Sequence, residues 1–241
     1  MDTFEIDSFS CADEYYAQRE GGAILRYTGM AEPDRATIVD WLAWCQPPPH
    51  VSTSHASPTH VVSVGSGPAL SEWLLASAAE QANIPLHVWA VDVINESSDL
   101  ILPQARKAAS SSPATLHLVC LAGGAAERGD WSGPLDCLIM SWPLPPMPWR
   151  AWLHHTVQRA TRTLIYMGDW TDGDYCVPSP ADFEQAAHEL GFDRRVDRRL
   201  DDRRSFYRIY TRRVEQQLSV NERPPPTVHV TQGGTDDCID A

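Results

Sequence analysis

From His60 onward the apolar positions switch repeatedly between two patterns. Short, nearly unbroken apolar runs at 60–65, 86–92, 115–121, 135–141 and 162–168 predict buried strands. Between them, stretches at 69–82, about 98–110, 147–160 and 180–190 carry apolar residues at three- and four-residue spacing and predict helices. Strands alternating with helices imply a parallel sheet covered on both faces. Residues 192–200 and 205–213 are two further strands, separated only by Asp201-Asp202-Arg203-Arg204. That gap is too short for a crossover helix, so they predict an antiparallel hairpin. On the second of them Phe206, Arg208, Tyr210 and Arg212 share one face, and Tyr207, Ile209 and Thr211 the other, the pattern of an edge hairpin with one wetted side. The fold class is therefore α/β, a doubly wound, mostly parallel sheet ending in an antiparallel hairpin.

Outside that block the pattern changes. Residues 1–46 predict an N-terminal helical cap, most clearly Glu32 to Cys45, where Ile38, Trp41, Leu42 and Cys45 recur on one face. Residues 47–59 are a proline- and serine-rich linker, 60–213 the α/β domain, and 214–241 a tail without periodicity that is expected to be disordered.

Composition narrows the function classes. The chain has 241 residues, 43% of them hydrophobic and 21% charged, enough for one substantial core. No apolar run approaches the roughly 18 residues of a membrane span, and the start, Met1-Asp2-Thr3-Phe4-Glu5, is acidic where a signal peptide is basic. A cytoplasmic location is expected, with the nucleus left open. The six cysteines are scattered without a Cys-x-x-Cys pair, and the adjacent His154 and His155 point about 100° apart on a helix. No metal is expected. A net charge of −13 argues against general coating of nucleic acid. Residues 194–213 nevertheless hold nine arginines against three aspartates, a local +6. Arginines interleaved with aromatics offer a polyanion contact, although Asp197, Asp201 and Asp202 are at hand as internal counterions and favour a solvated face.

The most informative segment joins two strands, His60-Val61-Val62-Ser63-Val64-Gly65-Ser66-Gly67-Pro68-Ala69-Leu70 and Leu86-His87-Val88-Trp89-Ala90-Val91-Asp92. A strand delivered into a glycine turn that opens a helix presents unpaired amides to a polar or anionic ligand. An acid ending the next strand accepts hydrogen bonds from a ribose diol, so the pair predicts an adenosine-containing cofactor. Leu70 stands where a dinucleotide fingerprint requires its third glycine, and the only lysine, Lys107, is not part of a Tyr-x-x-x-Lys pair. Nicotinamide chemistry is therefore a distant alternative.

The turn resembles the first motif of the class I S-adenosylmethionine-dependent methyltransferases, an acid followed by Gly-x-Gly-x-Gly one residue later. Gly65 and Gly67 match, Ala69 stands at the third glycine and Ser63 at the acid. Five parallel strands with a terminal hairpin match the same family's layout, over residues 60–213. The resemblance implies S-adenosylmethionine as cofactor, with Gly65, Ser66 and Gly67 at its methionine end. It also implies Asp92 and the following Val93 at the ribose, and Leu121, within 120–124, near the adenine. Glu72, five residues past Gly67, either faces the cofactor or caps the helix.

The strand Asp136-Cys137-Leu138-Ile139-Met140-Ser141 runs into Trp142-Pro143-Leu144-Pro145-Pro146, and proline breaks it out of the sheet at the ligand-binding rim. It resembles the strand that ends Asn/Asp-Pro-Pro-Tyr/Phe in nitrogen-directed methyltransferases, with Pro143 alone retained among the last four positions. The resemblance places a methyl-acceptor pocket at Ser141, Trp142 and Pro143 and leaves the acceptor, small molecule, nucleic acid or protein, undetermined. Asp169 and Asp174 lie near the same rim, and Tyr15, Tyr16 and Tyr27 form an expected lid. The implied activity is methyl transfer to a nitrogen or oxygen nucleophile. The departures at Ser63, Ala69 and 141–144 support an alternative, a methyltransferase-like binding or regulatory module without turnover.

Overall fold

The computed structural model describes residues 11–20, 33–46, 58–92, 103–110, 116–120, 131–141, 147–159, 161–169, 178–200 and 205–213. Two N-terminal helices, α1 (Ala12–Glu20) and α2 (Arg35–Cys45), precede β1 (Thr59–Val64), α3 (Leu70–Gln81), β2 (Leu86–Asp92), α4 (Pro103–Ser110) and β3 (Leu116–Cys120). There follow β4 (Cys137–Ser141), α5 (Trp149–Gln158), β5 (Thr163–Asp169), α6 (Pro180–Glu189), β6 (Phe192–Arg199) and β7 (Ser205–Arg212).

Local chemistry fixes two helix starts. The Asp34 side chain accepts from Thr37 N–H at 2.7 Å and caps α2. Ser179 accepts from Asp182 N–H at α6, with Pro180 in the first turn where its missing N–H costs nothing. Thr37, Ile38, Trp41, Leu42 and Cys45 are the buried face of α2, as the spacing predicts.

The seven strands lie in the order β3-β2-β1-β4-β5-β7-β6, the first five parallel and β7 antiparallel to both its neighbours. The hairpin departs from expectation in one respect. Its second strand, β7, is buried on both faces between β5 and β6, and the wetted edge is β6. The sequences explain the placement: Phe192-Asp-Arg-Arg-Val-Asp-Arg-Arg199 tolerates an edge, whereas Phe206, Tyr207, Ile209 and Tyr210 need cover on alternate faces.

One apolar cluster fills each side of the sheet. On the first side α1, α2 and α3 pack Tyr15, Trp41, Leu42 and Leu74 over Val61, Ile139, Ile165 and Ile209. On the second α5 and α6 pack Trp152, Leu153 and Phe183 over Val62, Leu138, Leu164, Tyr166 and Tyr210. The α2 helix is pinned to the C-terminal strands. Tyr207 donates its hydroxyl to Asp40 at 2.8 Å, and Thr163 Oγ1 donates to the Trp44 carbonyl at 3.0 Å. Cys45 Sγ lies 3.4 Å from Cys137 Sγ in the core between α2 and β4. Among the described residues no helix is long and apolar enough to cross a membrane.

On the second side the register sets His60 beside His87 and Trp89 beside His117. The Trp89 and His117 rings stack at 4.1 Å, and His87 Nδ1 is 3.0 Å from His117 Nε2. Burial, then the neighbouring imidazoles His87 and His60, hold His117 below the usual histidine range. The unfolded chain therefore takes up this proton first, and the contribution of His117 to stability is lost as pH falls below about 6.5. The expected result is that His117→Gln loses less stability than the natural chain between pH 7 and 5.5, by urea unfolding. Parallel profiles would refute it.

Candidate functional site

The strand order reverses direction of growth between β1 and β4, so the crevice at their carboxyl ends is the topological switch point of the sheet. The glycine turn and the end of β4 meet there. Gly65 has φ +77, and a Cβ on it would lie 2.7 Å from the Ser141 carbonyl oxygen and 2.9 Å from Met147 Cε. Only glycine fits a left-handed residue pressed against a neighbouring backbone. Gly67 (φ +51) and Ala69 (φ +63) are left-handed too. Ala69, at the family's third glycine, adopts a conformation that costs a residue with a Cβ about 1–2 kcal/mol, and it is fully buried. Leu70, next in line, opens α3 from within the core.

The amides of the turn are not free, contrary to expectation. Gly65 N–H donates to the Val91 carbonyl at 3.0 Å, and Gly67 N–H donates to Asp92 Oδ2 at 2.8 Å. A turn this deeply seated must satisfy its donors within the protein, and the end of β2 does so. The consequence is a brace: the carboxylate of Asp92 is held against the glycine bend. Ser66 and Ser141 are buried beside it.

Below the turn lies a pair that sequence reasoning did not assemble. Ser63 is fully buried on β1, and its Oγ donates to Glu72 Oε1, reached from the first turn of α3, at 2.5 Å. Glu72 is 2% exposed, and Ala69, the N-cap of α3, makes no side-chain cap. Burial pushes the Glu72 carboxyl up to about 7; the Ser63 hydroxyl and the residue's own amide pull it back in part, and Asp92 adds to the rise. The two acids thus flank the same turn. No local signal links positions 63 and 72, because strand and helix periodicities end at the turn between them. Met147 was missed for the same reason: it precedes α5 and touches Gly65 only through the fold.

Of the residues singled out from the sequence, Gly65, Ser66, Gly67, Asp92 and Ser141 come together at the switch point. Val93, Leu121, Trp142, Pro143 and Asp174 lie outside the described residues, as does Tyr27. Asp169 ends β5 opposite Ser205. The lid is corrected: Tyr15 and Tyr16 are buried in the core with α2 and α3, where their rings pack edge-on at 5.2 Å. Burying an aromatic ring outweighs anything it would gain as a flap.

Among the described residues, arginines of the 194–213 stretch are engaged within the chain. Arg194 and Arg208 both reach Glu184 Oε2, at 3.0 and 3.1 Å, and both reach Asp197, while Arg213 pairs with Asp193 at 2.9 Å. Arg212 is buried, donating to the carbonyls of Thr161 and Thr156 at 2.8 and 2.7 Å with its guanidinium over Phe192.

Strand order, reversed last strand and glycine turn at the switch point together decide the architecture. The fold is that of the class I methyltransferases. No family model matches the chain, and no curated protein does. Solved structures similar to it include magnesium protoporphyrin IX methyltransferase from Synechocystis PCC 6803 with bound S-adenosylmethionine, at 16% identity and a TM-score of 0.49, covering 86% of this chain and 94% of that one. Others are a ribosomal protein L11 methylase from Lactobacillus delbrueckii subsp. bulgaricus (16%, 0.47, covering 79% and 86%) and a putative RNA methyltransferase from Pyrococcus horikoshii (12%, 0.48, covering 85% and 99%). The assignment rests on topology and register, not on these scores.

Proposed function

We propose that the chain binds S-adenosylmethionine at the switch point and transfers its methyl group to a nitrogen or oxygen nucleophile at the rim of β4. The observation that carries this reading is the 2.8 Å bond from Gly67 N–H to Asp92 Oδ2, which holds a carboxylate at the glycine bend beside Ser141. When bound, the cofactor supplies a methyl group already activated on a sulfonium, so the task of the chain is positioning. Asp92 accepts from the ribose diol, and the left-handed glycines let the backbone approach the methionine portion. Ser141 accepts a hydrogen bond from the incoming nucleophile. The reading extends to Val93 and Leu121 around the adenosine and to Trp142 and Pro143 around the acceptor.

Calorimetric titration with S-adenosylmethionine and S-adenosylhomocysteine tests it. Binding is expected to both, weakened about 10- to 100-fold by Asp92→Ala, the loss of hydrogen bonds to a charged group. No heat and no thermal shift at millimolar cofactor would remove the reading. The alternative, a module that binds without turnover, draws on Met147, whose Cε packs against Gly65 in the crevice. Cofactor binding with no transfer to any amine or hydroxyl acceptor, even in Met147→Ala, would favour it.

A further inference from the structure

Glu72 has no task in the reading above. Its Oε1 is satisfied by Ser63, but Oε2 is buried with no hydrogen-bond partner among the described residues. Removing a carboxyl from water and leaving one oxygen unpaired is unfavourable, and natural folds retain such groups chiefly where they act. Its place is telling. Ser63, which holds it, stands at the position where the family's motif carries its acid, so the carboxyl absent from β1 is supplied to the same spot from α3. Among the described residues, the titratable and charged groups that face it are few: Asp92 from β2 is the only one whose charge it feels, Ser63 is its partner on β1, and none of the described ion pairs includes it.

We propose that Glu72 is the charge-compensating residue of this site, releasing its proton to solvent when a sulfonium occupies the glycine turn and thereby distinguishing the cationic methyl donor from its neutral thioether product. This rests on the reading of the site as an S-adenosylmethionine site. Donor and product share the adenosine and amino-acid groups and differ in one positive charge at sulfur. Burial holds the carboxyl up to about 7, so near neutrality it is poised between its two forms. A unit positive charge within about 8 Å lowers such a carboxyl by about one pH unit or more at the effective dielectric of a protein site. By linkage the donor then binds about fivefold more tightly at pH 8 than at pH 6, while the product does not follow.

The test is calorimetry on the full chain at pH 7 in phosphate and in Tris, whose ionisation enthalpies differ, with S-adenosylmethionine and S-adenosylhomocysteine as probes. The donor is expected to release a measurable fraction of a proton more than the product, and Glu72→Gln to abolish the difference along with the pH dependence of donor affinity. Equal release for both ligands in the natural chain, or a difference that survives Glu72→Gln, overturns the proposal. If Glu72→Gln does not fold, the two-buffer comparison on the natural chain decides alone. Failure of both ligands to bind would overturn the underlying reading, and the proposal with it, an outcome distinct from equal release.

Discussion

Gly65→Ala is expected to destabilise the protein by about 3 kcal/mol and to abolish cofactor binding. Two costs combine. An alanine at φ +77 is strained by about 1–2 kcal/mol, and its methyl group would sit 2.7 Å from the Ser141 carbonyl oxygen, an overpacking of about 1–3 kcal/mol. Met147 Cε, also within 2.9 Å, ends a flexible side chain and can give way; the carbonyl belongs to β4, paired with β1 and β5, and cannot. The double variant Gly65→Ala/Met147→Ala should therefore recover little of the loss. Urea unfolding measures the first effect and cofactor titration the second. A loss below about 1 kcal/mol with binding intact would show that the turn does not have the geometry described.

Glu72→Gln is expected to act in the opposite direction, increasingly as pH rises above 4.5. In the folded protein the carboxyl titrates at about 7, against an ordinary value of 4.5. Between those values the folded chain keeps a proton that the unfolded chain has released, so stability falls as pH rises through the window, and above it the cost is complete. A gap of that size is worth about 3 kcal/mol. Glutamine is close in shape to the protonated acid and can still accept from Ser63. The variant should lie within about 1 kcal/mol of the natural chain at pH 5 and exceed it by about 3 kcal/mol at pH 8. An identical difference at both values would mean that Glu72 does not titrate in this range. Acidification acts on His117 with the other sign, so the two variants together separate the limbs of the pH profile.

The fold was legible because each strand from β1 to β5 is a short apolar run and each intervening helix keeps its own period. The turn was legible because left-handed glycines are irreplaceable at such bends. The partners of that turn were hidden for a physical reason. That Asp92 would bind the Gly67 amide, leaving the bend braced instead of open, follows from burial, which the sequence does not display. The charge at the missing acid position was hidden because it comes from a different element, nine positions on. The inward placement of β7 was misjudged because alternation of Arg with aromatics looks like a wetted strand; in the structure Arg208 and Arg212 are buried by salt links and backbone carbonyls.

The position of β7 also bears on how the chain is made. A ribosome delivers β6 before β7, yet among the described strands β6 has no neighbour except β7, and β5 acquires its outer partner from that same strand. The N-terminal helix α2 waits as well, since Asp40 is anchored by Tyr207, 167 positions downstream. Nascent chains stalled before residue 205 should thus display an unpaired β5 margin to chaperones and proteases, and the sheet closes in a single late event once the whole hairpin has emerged.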